Sequence, residues 1–202
     1  MIKVAIIGGG PRGLWAAEEL LELARQRSVD VDLHVYDDGF GVAYSLDQPE
    51  EWLVNVRSSI IRTQLGSFDG WLRARSVGTD FPPRRMVGEF LADSWAALKR
   101  YLPRGCSFTE HAMHVEDLEP DPESNGRWTV HGEHFDEVLL ATGHAAHGPG
   151  ALTHHDVPEN VRLISSPYPA SNLDDIGPHD RVLVRGAALT FIDITRVCQP
   201  AV

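Results

Sequence analysis

Cysteine is scarce in these 202 residues: only Cys106 and Cys198 occur, and they lie far apart in the sequence. A thiol–disulfide reductase needs paired thiols close together, so that chemistry is not expected and both are read as core thiols. Basic residues are also few. Eighteen Lys and Arg face 29 Asp and Glu, giving a net charge of -11, and a nucleic-acid partner would need a basic footprint that this balance does not supply. Long apolar runs are missing. Nothing approaches the roughly 18 consecutive apolar residues of a membrane span, and the N-terminal run Val4-Ala5-Ile6-Ile7 is too short and too soon broken by glycine to be a signal peptide. A cytoplasmic protein with neither membrane nor nucleic acid as partner is expected, and its length allows a substantial core.

What is present begins at once. The apolar run breaks into Gly8-Gly9-Gly10-Pro11-Arg12-Gly13, as a strand does when it delivers glycines to a tight turn ahead of a helix whose unpaired N–H groups and positive dipole end face a pyrophosphate. Side chains at Gly8 or Gly10 would obstruct the phosphates, and one at Gly13 would push the helix off the sheet. Leu14, Ala17, Leu21 and Ala24 then recur at helical spacing to about Arg27. Val31, Leu33 and Val35 alternate with polar residues as a strand would, and Asp37-Asp38 follows where a carboxylate can accept hydrogen bonds from ribose hydroxyls. The spacing predicts a dinucleotide-binding βαβ unit.

Further along, Gly39 to Tyr44 is a second glycine-bearing turn, and Asn55 lies in Trp52-Leu53-Val54-Asn55-Val56. Such glycines either let backbone approach a ligand or meet a loop's need for positive φ. From about Arg85 to Leu102, Val87, Phe90, Leu91, Trp95, Leu98 and Tyr101 predict an amphipathic helix punctuated by Pro82-Pro83 and Pro103, with its Trp and Tyr in the core. Histidines recur as His111 with His114, His131 with His134, His144 with His147, and His154-His155. Residues three apart on a strand point to opposite faces, so the first two pairs cannot chelate jointly while extended; the loop pairs stay open, and no metal site is assigned.

Ser107 to Leu118 has β-type residues, Asp121 to Gly126 is a turn cluster, Arg127 to His131 is a short strand, and Phe135 to Ala141 is another that leads into Thr142-Gly143. Three strands in a meander, the last returning to a parallel sheet, are not what a dehydrogenase-type nucleotide domain contains here. Gly8-x-Gly10-x-x-Gly13 with Asp37, the meander and Ala141-Thr142-Gly143 together resemble the FAD domain of two-dinucleotide-binding flavoproteins. More narrowly, the Gly10-Pro11-Arg12-Gly13 turn, the Gly39 to Tyr44 loop, Leu53-Val54-Asn55 and Pro83-Arg84 before Gly88-Glu89-Phe90-Leu91 resemble the FAD-NAD(P)-binding family, akin to N-hydroxylating and FAD-dependent urate hydroxylase monooxygenases.

The resemblance implies an α/β fold: a Rossmann-type three-layer ββα sandwich with a parallel central sheet and a β-meander over residues 1–145. Residues 146–202 would be a linker and the start of a second, NAD(P)-binding βα unit. It implies that Gly8, Gly10 and Gly13, in the turn shared with Pro11 and Arg12, hold the pyrophosphate. Asp37, beside Asp38, would hold the adenosine ribose; Asn55 and Tyr44 of the Gly39 to Tyr44 loop would lie along the cofactor. Strand backbone near Val115 would meet the adenine edge, and Thr142 and Gly143 would pass the cofactor, with His144 close by. No catalytic residue is assigned.

The second unit would comprise strands at Val161 to Ile164 and Arg181 to Arg185, the latter running into Gly186-Ala187-Ala188-Leu189-Thr190, where Ala188 replaces the second glycine of a nucleotide turn. The chain stops at Val202, shortly into the helix that follows. A shortened chain, a fragment completed by another chain, and a self-sufficient small binding protein are the explanations weighed, the first preferred, with self-association or a missing C-terminal half as the partner expectation. Two functions stay open: the FAD-binding portion of a flavin-dependent, NAD(P)H-using oxidoreductase, a monooxygenase among the options, or an FAD/NAD(P)-binding module without redox turnover.

Overall fold

The computed structural model describes residues 1–39, 44–121, 126–143 and 158–198. Four parallel strands form the central sheet in the order β5-β2-β1-β9, with β1 Ile2–Ile7, β2 Val31–Tyr36, β5 Cys106–His111 and β9 Glu137–Leu140. Helix α1, Pro11–Arg27, carries the chain from β1 to β2, and α3, Arg84–Arg100, precedes β5. The chain leaves β1 toward β2 on one side and later returns as β9 on the other. The end of β1 is therefore a topological switch point, the place where an open α/β sheet leaves a crevice for a ligand.

Period-two alternation sorts each strand between two cores. Val4 and Ile6 of β1 and Leu33 and Val35 of β2 pack with Leu14 and Leu21 of α1 and with Phe90, Leu91 and Trp95 of α3. Ala5, Ile7 and Tyr36 point the other way, onto Val130 and Phe135. Those two belong to a three-stranded antiparallel meander: β6 Leu118–Pro120, β7 Trp128–Val130 and β8 Glu133–Phe135. Helices, parallel sheet and meander make the three-layer ββα sandwich. A short hairpin, β3 Arg62–Thr63 with β4 Gly66–Ser67, and α2, Phe68–Arg73, fill the connection before α3. A 3-10 turn at Ala170–Leu173 precedes α4, Leu189–Cys198.

Several boundaries differ from those the sequence suggests. The segment from Ser107 to Leu118 is not one meander strand: β5 joins the parallel sheet beside β2, and the meander starts only at Leu118. Phe135 to Ala141 is likewise two strands, because Asp136 is a joint between sheets. Its N–H donates to the Lys3 carbonyl and its carboxylate accepts from the Lys3 N–H, each at 2.8 Å, which fastens the turn to β1 and sends the next residues into the parallel ladder. Val115 lies on no strand; it is half-buried against the meander-side core. Tyr101 is 74% exposed, not core, since α3 ends at Arg100 and Tyr101 has already left helical geometry.

Neither Val161 to Ile164 nor Arg181 to Arg185 forms a strand. A parallel strand is held by neighbours, and among the described residues none pairs with either segment. The helix expected after Gly186 is present as α4. Most of the turn after Asp121 and the stretch containing His144, His147 and His154-His155 lie outside the described residues, as do Phe40 to Ala43 of the second glycine turn.

Candidate functional site

The carboxyl end of β1 is closed by its glycines in different ways. Gly8 has φ +110°, a left-handed value that favours glycine, and a Cβ there would overlap the carbonyl of Ala141 just beyond β9. The expected obstruction at Gly8 is thus with the neighbouring strand's backbone. A Cβ at Gly13 would overlap the Gly8 carbonyl, so this glycine seats α1 on the turn itself. At Gly10 a Cβ would meet no atom of the described residues within 4 Å.

Gly10 is the N-cap of α1, Pro11 occupies the first helical position, no side chain caps the terminus, and no acidic residue lies in its first turn. The first N–H groups of a helix have no partner within it, and an α-helix N-terminus carries a partial positive charge. Arg12 is exposed beside them. Trp95 of α3 holds the turn from below, its indole Nε1 donating to the Gly9 carbonyl at 2.8 Å.

Asp37 lies across this end, at the close of β2. Its carboxylate accepts from the N–H of Gly9 and, at 2.8 Å, from the N–H of Gly39, while its own N–H donates to the His111 carbonyl at 3.0 Å. Asp38 is exposed. On the other flank the Ala141 N–H donates to the Ile7 carbonyl at 2.8 Å, extending the β1–β9 ladder to the edge of the turn. Thr142 and Gly143, the latter at φ +72°, continue past it. Gly8 to Gly13, Asp37 and the start of the Ala141-Thr142-Gly143 segment therefore converge on one sheet end.

The other candidates lie apart. The carbonyl of Tyr44 rests where a Cβ of Gly88 would be, which ties the second loop to α3. Asn55 is exposed and lines a cavity of about 320 Å³ with Leu53, Arg84, Ile192, Asp193 and Arg196, between the connection after β2 and α4. Val115 sits beneath the meander.

Two groupings have no sequence forecast. Asp193 of α4 is buried, with Arg84 at 2.8 and 3.1 Å and the Tyr168 hydroxyl donating to it at 3.0 Å; its carbonyl accepts from Trp52 Nε1 at 3.0 Å. The one available signal was an acid inside the apolar run Phe191-Ile192-Asp193-Ile194. Between sheet and meander, His34, His111 and Glu133 come together from three strands. The Lys3 ammonium, 2.6 Å from Glu133, holds that carboxyl below the ordinary range. Burial pulls Asp32 upward, yet hydrogen bonds from Ser107 and His34 leave it lowered.

A parallel sheet with a glycine turn and a helix N-terminus at its switch point defines a Rossmann-type dinucleotide-binding protein. More specifically, the chain belongs to the FAD-NAD(P)-binding family, whose model matches residues 5–145. Similar solved structures include a cyclohexanone monooxygenase variant from Rhodococcus sp. Phi1 bound to NADP+, at 22% identity over 78% of this chain and 28% of that one, TM-score 0.49. OTEMO in complex with FAD and NADP matches at 15% identity over 70% of this chain and 26% of its own, TM-score 0.46. Tmm from Pelagibacter sp. strain HTCC7211 matches at 17% over 68% of this chain and 35% of its own, TM-score 0.45. The chain spans about a quarter to a third of the length of these proteins. No curated protein matches it. Among the described residues no helix is long and apolar enough to cross a membrane.

Proposed function

We propose that the glycine end of the sheet binds FAD, and that residues 1–145 are the FAD-binding portion of a flavin-dependent, NAD(P)H-using oxidoreductase, with 146–202 as a linker and a unit directed at NAD(P). The observation that carries the reading is the contrast within the turn. Gly8 and Gly13 are filled against backbone, whereas a Cβ at Gly10, at an uncapped helix N-terminus, would meet no atom of the described residues within 4 Å. That is room for a pyrophosphate beside donors that suit it. Arg12 adds a cation at the rim. Asp37, which accepts from Gly9 and Gly39, would take ribose hydroxyls instead. Thr142 and Gly143 would flank the cofactor, while Tyr44 and Asn55 would meet its far end only if it extends toward α3 and α4.

When bound, a flavin supplies the electron-transfer chemistry. The chain's own residues bind it, orient it and exclude water from one side. A monooxygenase reaction in the parent protein is the finer form of this proposal. The second reading, an FAD/NAD(P)-binding module without turnover, is favoured by one observation: Arg181 to Arg185, ahead of the Gly186 turn, pairs with no strand among the described residues.

Incubation of purified chain with excess FAD, followed by gel filtration and absorbance, tests the reading. Weak or partial retention of yellow colour is expected, without bleaching by NADH or NADPH under anaerobic conditions. Colourless protein overturns flavin binding for this chain; bleaching would remove the second reading.

A further inference from the structure

His34 of β2, His111 of β5 and Glu133 of β8 each offer one ligand atom, and these atoms lie within 4.8 Å of one another. His34 Nδ1 is 2.9 Å from His111 Nε2 and 3.6 Å from Glu133 Oε2. Around Zn2+, nitrogen and oxygen ligands at about 2.0–2.1 Å stand roughly 3.3 Å apart in a tetrahedron, so His34 Nδ1 already stands near that spacing from both partners, and His111 and Glu133, within 4.8 Å of each other, complete the set by closing on the ion.

The surroundings orient these atoms. His34 Nε2 lies 3.1 Å from Asp32 Oδ2, and Ser107 Oγ donates to Asp32 Oδ1 at 2.5 Å. With Nε2 carrying the proton toward that carboxylate, His34 Nδ1 presents a lone pair. This is the carboxylate–histidine arrangement that fixes the tautomer of a metal ligand. The His111 ring is stacked on Tyr36 with centroids 4.1 Å apart. Glu133 divides its oxygens: Oε1 accepts from Lys3 Nζ at 2.6 Å, and Oε2, which accepts from the Tyr36 hydroxyl at 3.2 Å, faces the histidines. His34 is buried while His111 and Glu133 are half-buried, so an ion can enter and keep water at a fourth position.

We propose that His34, His111 and Glu133 form a divalent-metal site, matched to Zn2+ by two imidazoles and one carboxylate, that staples the meander to the parallel sheet. The alternative use of the same geometry is a hydrogen bond between the two rings. That bond needs an N–H on one of them; metal binding replaces it, with the His111 proton residing on Nδ1. Ligands from β2, β5 and β8 would then be joined by one ion.

The test is titration of Zn2+ into the EDTA-treated full chain, read by calorimetry and by the thermal unfolding midpoint. One equivalent is expected to bind and to raise the midpoint. His111→Gln and Glu133→Gln should each weaken binding about ten-fold or more, and Asp32→Asn about 10–100-fold. His134→Gln, at an exposed histidine paired with Asp121, should leave it unchanged. Co2+ added to the unsubstituted chain should give the intense visible spectrum of four-coordinate cobalt, which decides the matter even if a variant fails to fold. No stoichiometric binding, binding indifferent to both His111→Gln and Glu133→Gln, or a six-coordinate cobalt spectrum overturns the proposal and leaves a hydrogen-bonded cluster only.

Discussion

Gly10 and Gly13 share one turn and answer to different neighbours. Gly13 has the Gly8 carbonyl against it, so Gly13→Ala should destabilise the fold by about 1–3 kcal/mol, as overpacking does. Gly10 has none of the described residues against it, so Gly10→Val should cost only about 1 kcal/mol as a poorer N-cap while abolishing FAD retention by filling the proposed phosphate approach. Urea unfolding with parallel FAD binding checks both; if Gly10→Val keeps full affinity, the turn has been misassigned. Glu18 of α1 gives a pH-dependent case. It is buried and accepts from the Gln64 N–H at 2.8 Å, and burial holds its carboxyl above the ordinary 4.5. A raised folded pKa means stability that is full below pH 4.5 and lost as pH rises through the folded value. Glu18→Gln should therefore raise the urea midpoint at pH 7, with the gain vanishing below pH 4.5. An equal gain at both pH values would show that the carboxylate charge is not the cause.

At the scale of elements, α1 and α3 were legible because one helical stripe faces one core: Leu14, Ala17 and Leu21 in one, Val87, Phe90 and Trp95 in the other. The glycine turn, β1, β2 and Asp37 were legible for the same local reason. The meander was visible and its borders were not. Residues 135–141 read as a single strand, and what divides them is Asp136 gripping Lys3, a partner no local pattern contains. The His34 cluster was hidden likewise, since spacing within a strand says nothing of residues brought from three strands. Arg181 to Arg185 shows the converse: Val182, Leu183 and Val184 have strand composition without a strand's neighbours. Helix α4 depends instead on the ion pair of Asp193 with Arg84, whose side chains are 5% and 15% exposed. Asp193→Ala would leave the guanidinium uncompensated, a loss of about 3–5 kcal/mol at a buried pair. Limited proteolysis should then cut first between residues 158 and 198; unchanged cleavage would mean that the pair does not secure α4.

Taken whole, the described residues expose apolar side chains at many positions, and two places among them bear on association. Edge strand β9 carries Leu139 and Leu140 at 43% and 61% exposure, and Leu183 is 96% exposed. An uncovered apolar edge invites pairing with another chain, and lysine at such positions opposes it. Combined Leu140→Lys and Leu183→Lys substitution should reduce concentration-dependent light scattering; scattering equal to that of the unsubstituted chain would exclude both places as the source. The contact of Gly8 with Ala141 has a bearing on biosynthesis. The glycines are among the first residues to leave the ribosome, yet Gly8 gains its Ala141 neighbour only when β9, made more than a hundred residues later, has been released and has docked beside β1. A nascent chain thus carries its glycine turn long before the strand that flanks Gly8 exists.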